Sequence, residues 1–277
     1  MMHLPMPDDF GDAVIRTQCA KAGWAGFRER WMTATAAYRS AGGDPWVLTA
    51  AAFNKAEKLA LASLYDTRRS SGAIKRIRSV GYESCPMCGS SGGRSLDHAL
   101  PRSTFPEFSI VRENLVPACT ICNTDEKGSE FRGTVLHERL IHPYYDKWAA
   151  SEIWEVEFGE ELDAVVFRAV PNPLLGPDQR ITVAYHLSIV LGNAWEENTR
   201  RYWGTLPSKI QNRLGVAPTV AETRAELAHR LHDEQLDKGI NGWASAFLRG
   251  ALNDDRIPIY LAAQVRLLPA PFVEKAR

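Results

Sequence analysis

Neither sign of charge dominates this chain: its 277 residues carry 33 Lys and Arg against 33 Asp and Glu. No global field therefore draws it toward nucleic acid, and any such signal has to be local. No apolar stretch approaches the roughly 18 residues that a membrane span requires, and the N-terminus lacks the basic region and apolar run of a secretory signal. A cytoplasmic protein without membrane contact is expected. Internal repeats and low-complexity tracts are missing as well. Cysteine is scarce, at five residues, and four of these fall in two CxxC pairs. That pattern suits metal ligation in a reducing compartment better than a disulfide framework. Cys19, the fifth, lies in a helix-like stretch between Ile15 and Trp24 and reads as a small buried apolar residue.

What is present fits a folded chain, because 45% hydrophobic and 24% charged residues argue against wholesale disorder. Residues 8–66 read as helical, since Trp24, Phe27, Trp31 and Tyr38 recur at i, i+3, i+7 and i+14 and so share one face. The pattern predicts a second helix in this region that starts with Asp44 as cap and Pro45 as first residue and runs to about Tyr65. Ala73 to Val80 reads as a short basic helix. Beyond residue 150, imperfect alternation over Glu152–Phe158 and Val165–Val170 predicts a β-hairpin, and Pro171, Pro173 and Pro177 a rigid linker. The rest reads as helical, with a capping box at Thr219 and Glu222 and a stop at Gly239.

Between these flanks the composition changes. From Cys85 to Gly128 the chain is dense in Cys, Gly, Pro, Asp and Asn and has too little apolar surface to hold itself together without a staple. Cys85-Pro-Met-Cys88 and Cys119-Thr-Ile-Cys122 offer four thiolates, enough to close a tetrahedral Zn²⁺ site of the structural kind. Between the knuckles lie Asp97-His98 and Asn114, and the second knuckle runs into Asn123 and then Lys127-Gly128. The approach is basic: Thr67 to Arg102 holds seven Lys and Arg residues, among them Arg76, Arg78, Arg94 and Arg102, against two acidic ones.

The order CxxC, DH, N, CxxCN, KG resembles the branch of HNH (ββα-metal) endonucleases that carries a four-cysteine zinc site. Asn123 stands where much of that family has its last histidine, as in the endonuclease VII-like resolvases, so the chain is an H-N-N variant. The likeness covers about 45 residues and extends toward His142-Pro143-Tyr144-Tyr145-Asp146, a segment associated with HNH proteins of bacterial anti-phage systems. It implies an α+β fold in which helical flanks surround a small zinc-stapled ββα-metal nuclease unit followed by a β-hairpin. The corresponding division is 1–80 helical, 81–149 nuclease unit, 150–277 hairpin plus helices.

The same resemblance implies DNA as substrate, His98 as general base, Asp97 and Asn123 as ligands of a catalytic Mg²⁺ or Mn²⁺, and Asn114 as the residue that pins the loop holding His98. The residue chemistry agrees. A histidine is largely neutral near pH 7, and carboxylate and amide oxygens suit a hard cation. Lys127 and Arg102 read equally well as phosphate contacts near the cut and as solvated side chains, and Arg76 and Arg78 as a nucleic-acid contact or a solvated helix face. His142 reads as part of a packed turn or as a further site histidine. RNA remains open as substrate, because hydrolysis engages the phosphate. A protein partner such as an ATPase of a defence system, and a non-catalytic zinc-knuckle binding module, are the remaining readings.

Overall fold

The computed structural model describes residues 1–7, 12–70, 72–92 and 95–269. Arg94 and residues 8–11, which entered the basic count and the first helix, lie outside these. The fold is α+β, 55% helical and 8% strand, and each described sheet is a pair of antiparallel strands.

The N-terminal part forms α1 (Asp12–Cys19), α2 (Arg28–Ser40), α3 (Lys55–Arg68) and α4 (Gly72–Ser79). The aromatic stripe turns Phe27, Trp31 and Tyr38 inward, and Cys19 is buried with them. The second helix does not start at Asp44, however. Gly42 and Gly43 take left-handed conformations after α2, and the Asp44 carboxylate closes a local turn on the Trp46 amide at 2.9 Å. The cap is Asn54, whose side chain accepts from the Glu57 amide while Glu57 reaches back to the Asn54 amide. Arg30 then clamps both Glu57 oxygens at 3.0 and 2.7 Å. A reciprocal capping box with a bidentate partner outweighs the lone Asp-Pro signal.

The segment between the knuckles supplies β1 (Ser95–His98) and β2 (Leu115–Ala118), paired Asp97 to Val116 and His98 to Leu115. Alternate residues of a strand face opposite ways, and here the two faces serve different cores. Leu96 and Leu115 pack with the N-terminal helices, whereas Val116 and Ala118 join the large C-terminal cluster. The site is thus wedged between the flanks.

C-terminal to it, β3 (Trp154–Phe158) and β4 (Phe167–Pro171) form the expected hairpin. They are followed by α5 (Pro177–Val190), α6 (Asn193–Leu214), α7 (Val220–Lys238), α8 (Trp243–Asn253) and α9 (Arg256–Leu267). The proline linker is mostly absorbed: Pro171 ends β4 and Pro177 is the first residue of α5, where its missing N–H costs nothing. α7 has the Thr219–Glu222 box and ends at Gly239. α8 crosses β3 so closely that a Cβ on Gly250 would overlap the Val156 carbonyl. No helix among the described residues is long and apolar enough to cross a membrane.

Three buried histidines carry a pH dependence. Burial pushes His98, His142 and His186 each down to about 4 from an ordinary value of 6.5. His142 is wedged against Gly43 and bonded to the Tyr38 hydroxyl at 2.8 Å. His186 receives the Ile141 amide at 3.1 Å and lies 2.7 Å from the Met87 carbonyl. The unfolded chain binds protons that the folded one refuses, so stability is full above about pH 6.5 and is lost progressively as the pH falls toward 4. Each histidine is worth on the order of 3 kcal/mol over that window. Urea unfolding of wild type and His142→Gln at pH 7.5 and 5 is expected to show the wild type losing more stability than the variant; equal losses would remove His142 from the linkage.

Candidate metal centre and cleft

The four knuckle cysteines converge. Cys85, Cys88, Cys119 and Cys122 are buried, and their sulfurs all lie within 4.8 Å of one another. Cys88 to Cys119 is 3.8 Å and Cys85 to Cys122 is 4.0 Å. A tetrahedral zinc with bonds of about 2.3 Å requires sulfurs about 3.8 Å apart. Backbone amides of Cys119 and Cys122 point at the sulfurs of Cys85 and Cys119, at 3.2 and 3.3 Å, which favours thiolates. The donor set fits a zinc ion that holds structure. The first knuckle is also tied to the C-terminal helices: His186 bonds the Met87 carbonyl, and the Trp243 indole donates to the Cys88 carbonyl at 2.7 Å.

The second knuckle continues into one wide turn, Ile121–Glu126, closed by the Lys127 amide on the Cys122 carbonyl five residues back. Asn123 and Lys127 project from it onto β1. The Asn123 amide donates to the Ser95 hydroxyl at 2.6 Å and the Leu96 carbonyl at 3.2 Å, which leaves the amide oxygen as the end free to act as a ligand. Lys127, only 1% exposed, reaches the other end of the strand, 3.0 Å from Asp97 Oδ2 and 3.0 Å from the His98 carbonyl. The other Asp97 oxygen accepts from the His98 amide at 2.7 Å. Burial nevertheless holds the Asp97 carboxyl above its ordinary range, against the pull of Lys127.

His98 is oriented by its surroundings. Its Nε2 lies 2.9 Å from the Ser109 carbonyl. A carbonyl only accepts, so Nε2 carries the proton and Nδ1 keeps the lone pair. The Tyr65 ring meets the imidazole edge-on at 4.7 Å between centroids. Asn114 fixes the loop between the strands. Its oxygen accepts the Leu100 amide at 2.7 Å and the Tyr38 hydroxyl at 3.1 Å, and its nitrogen donates to the carbonyls of Leu100 at 2.9 Å and Phe108 at 3.2 Å.

Asp97, His98 and Asn123 line one open cleft of about 680 Å³, with Arg69, Arg78 and Arg102 on its walls. Arg78 donates to the Tyr65 hydroxyl at 3.1 Å, and Arg102 pairs with Asp66 at 2.7 Å. Arg76 is exposed on α4 and is not part of the lining. His142 sits in the core beside Tyr38, also outside the cleft. Sequence reasoning missed Tyr65, Arg69 and the Ser109 carbonyl. Tyr65 and Arg69 stand four apart at the end of α3, a helical signal that was available; a backbone carbonyl leaves no trace in residue identity.

The Lys127–Asp97 pair gives a sharp expectation. Lys127→Met strands a buried carboxylate, at a cost of about 3–5 kcal/mol. Urea unfolding at neutral pH should show that loss, and Lys127→Met/Asp97→Asn should recover much of it. A single variant as stable as wild type would mean that the pair is not formed.

No family model matches the chain, and no solved structure matches it. Protein ea31 of Escherichia phage lambda is 48% identical over 66 residues, which span 24% of this chain and 22% of that protein.

Proposed function

We propose that the protein is a metal-dependent HNH endonuclease that hydrolyses phosphodiester bonds in DNA. The observation that carries the reading is the cleft in which a neutral histidine, oriented by the Ser109 carbonyl, stands beside a buried carboxylate, an amide and three arginines. Asp97 and Asn123 would hold Mg²⁺ or Mn²⁺, which when bound neutralises charge on the phosphate and the leaving oxygen. Each Asp97 oxygen has two lone pairs, and the His98 amide and Lys127 take one on each atom, so a lone pair remains on either for a cation. His98 Nδ1 takes the proton of the attacking water. The new phosphorus–oxygen bond forms as the opposite one breaks, and the departing alkoxide is protonated by solvent. Arg69, Arg78 and Arg102 bind the substrate backbone. The zinc plays no part in the chemistry and keeps the second knuckle, and with it Asn123 and Lys127, against β1.

Balanced overall charge fits modest intrinsic affinity and a nuclease that acts when a partner, such as an ATPase of an anti-phage system, presents DNA. Incubation with plasmid, linear duplex and RNA in Mg²⁺, Mn²⁺ or chelator tests the reading. DNA cut only with Mg²⁺ or Mn²⁺ is expected. Cleavage confined to RNA would move the substrate, and binding without cleavage under every condition would leave a zinc-knuckle binding module.

A further inference from the structure

We infer that the exposed face of α3 is a docking track for duplex DNA that extends the active-site cleft by several phosphates; the inference rests on the nuclease reading. A second groove of about 410 Å³ borders the first, and the two share Arg102 and Ser103 in their walls. One helix face lines both. Lys55, Lys58 and Ala62 face the second groove, and Tyr65 and Arg69 the first. Their spacing of three and four residues keeps them in a row along α3. From Lys55 to Arg69 that row is about 21 Å long at 1.5 Å per residue. Duplex DNA rises about 3.4 Å per base pair, so a row of that length lies along about six steps and meets the few phosphates that face it.

Charge along the row is complementary to such a strand. Lys55 and Lys58 are exposed and Arg102 stands at the junction. The acidic Asp66 beside it is already taken by Arg102. Duplex is favoured over single strands because neither aromatic ring in the two linings is free to stack a base. Phe53 is covered by Phe27 at 5.7 Å and by the Arg30 guanidinium at 4.5 Å, and Tyr65 by His98 and Arg102. Single-strand sites depend on open rings of that kind.

The test uses the full zinc-loaded chain with His98→Ala, so that DNA is bound and not cut, and compares it with the same protein carrying Lys55→Gln and Lys58→Gln. The probes are a 30-base-pair duplex of about three helical turns and a single strand of equal length. Both lysines are exposed and neither makes a side-chain bond among the described residues, so thermal melting should not move. The slope of log affinity against log salt for duplex should fall by about two units, close to 0.9 per lost phosphate contact, with at least about a tenfold loss of affinity. Leu59→Lys, on the same wall, should steepen the slope by about one unit. An unchanged slope in a parent that binds duplex overturns the track alone. Tighter binding of the single strand overturns the duplex assignment. A parent that binds no DNA, together with a wild type that cuts none, overturns the nuclease reading as well.

Discussion

His98→Ala should cut DNA about 10²–10⁴-fold more slowly than wild type while keeping its zinc, its fold and its affinity for DNA. The separation follows from what surrounds the ring. Among the described residues the imidazole makes one polar contact, with the Ser109 carbonyl, and packs against Tyr65, so its removal should leave β1, the Asn114 bonds and the knuckles in place. What disappears is the one basic nitrogen among the described residues of the cleft lining that is neutral at pH 7, since the other basic residues there are arginines. Single-turnover rates on plasmid, with zinc content and melting measured on the same preparation, give the comparison. Undiminished cleavage by a clean His98→Ala preparation would remove His98 from the chemistry.

Cys122→Ser should have the largest structural effect. It opens a closed four-thiolate shell, and zinc content is expected to fall from about one equivalent per chain to a trace. The damage should spread, because Cys122 is the hinge of the wide turn: its carbonyl accepts the Lys127 amide, and the residues that follow place Asn123 and Lys127 on β1. The knuckle cysteines are also part of the large C-terminal core, together with Trp154 and Phe247. A loss of several kcal/mol corresponds to a melting drop of roughly 5–10 °C for a chain of this size. Elemental analysis and melting decide it. Zinc retained at one equivalent with an unshifted transition would mean that three cysteines suffice and that the knuckles are not the staple.

Much of this was legible in the residues because it lies in local spacing. Two CxxC pairs with this spacing predict four converging cysteines, and the structure brings them together. The hairpin at 154–171 and the capping box at Thr219 follow from alternation and from a three-residue offset. Asp97, His98 and Asn123 share a cleft, as their places in the motif imply. What stayed hidden depends on long-range contacts. Lys127 has a flexible stem, and nothing in its neighbours shows that it lies under the strand on Asp97 and is not in solvent. The Ser109 carbonyl that orients His98 is main chain and could belong to any residue. The start of α3 was misplaced for a related reason. Asp44-Pro45 and Asn54…Glu57 are both local signals, and Arg30, which strengthens the second, comes from another helix.

On the nuclease reading a divalent cation would be held by Asp97 and Asn123, which line the same cleft as His98, apart from the four cysteines. Titration of Mn²⁺ into the zinc-loaded protein, followed by electron paramagnetic resonance in wild type, Asp97→Asn and Asn123→Ala, addresses it directly. Wild type should bind one Mn²⁺, tighter with uncleaved DNA present in the His98→Ala background. Asp97→Asn should bind at least about tenfold more weakly, as loss of a charged ligand requires, and Asn123→Ala should be weakened to a smaller degree, with the zinc content of both unchanged. Mn²⁺ binding undiminished in both variants, or absent from wild type even with DNA, would contradict the claim.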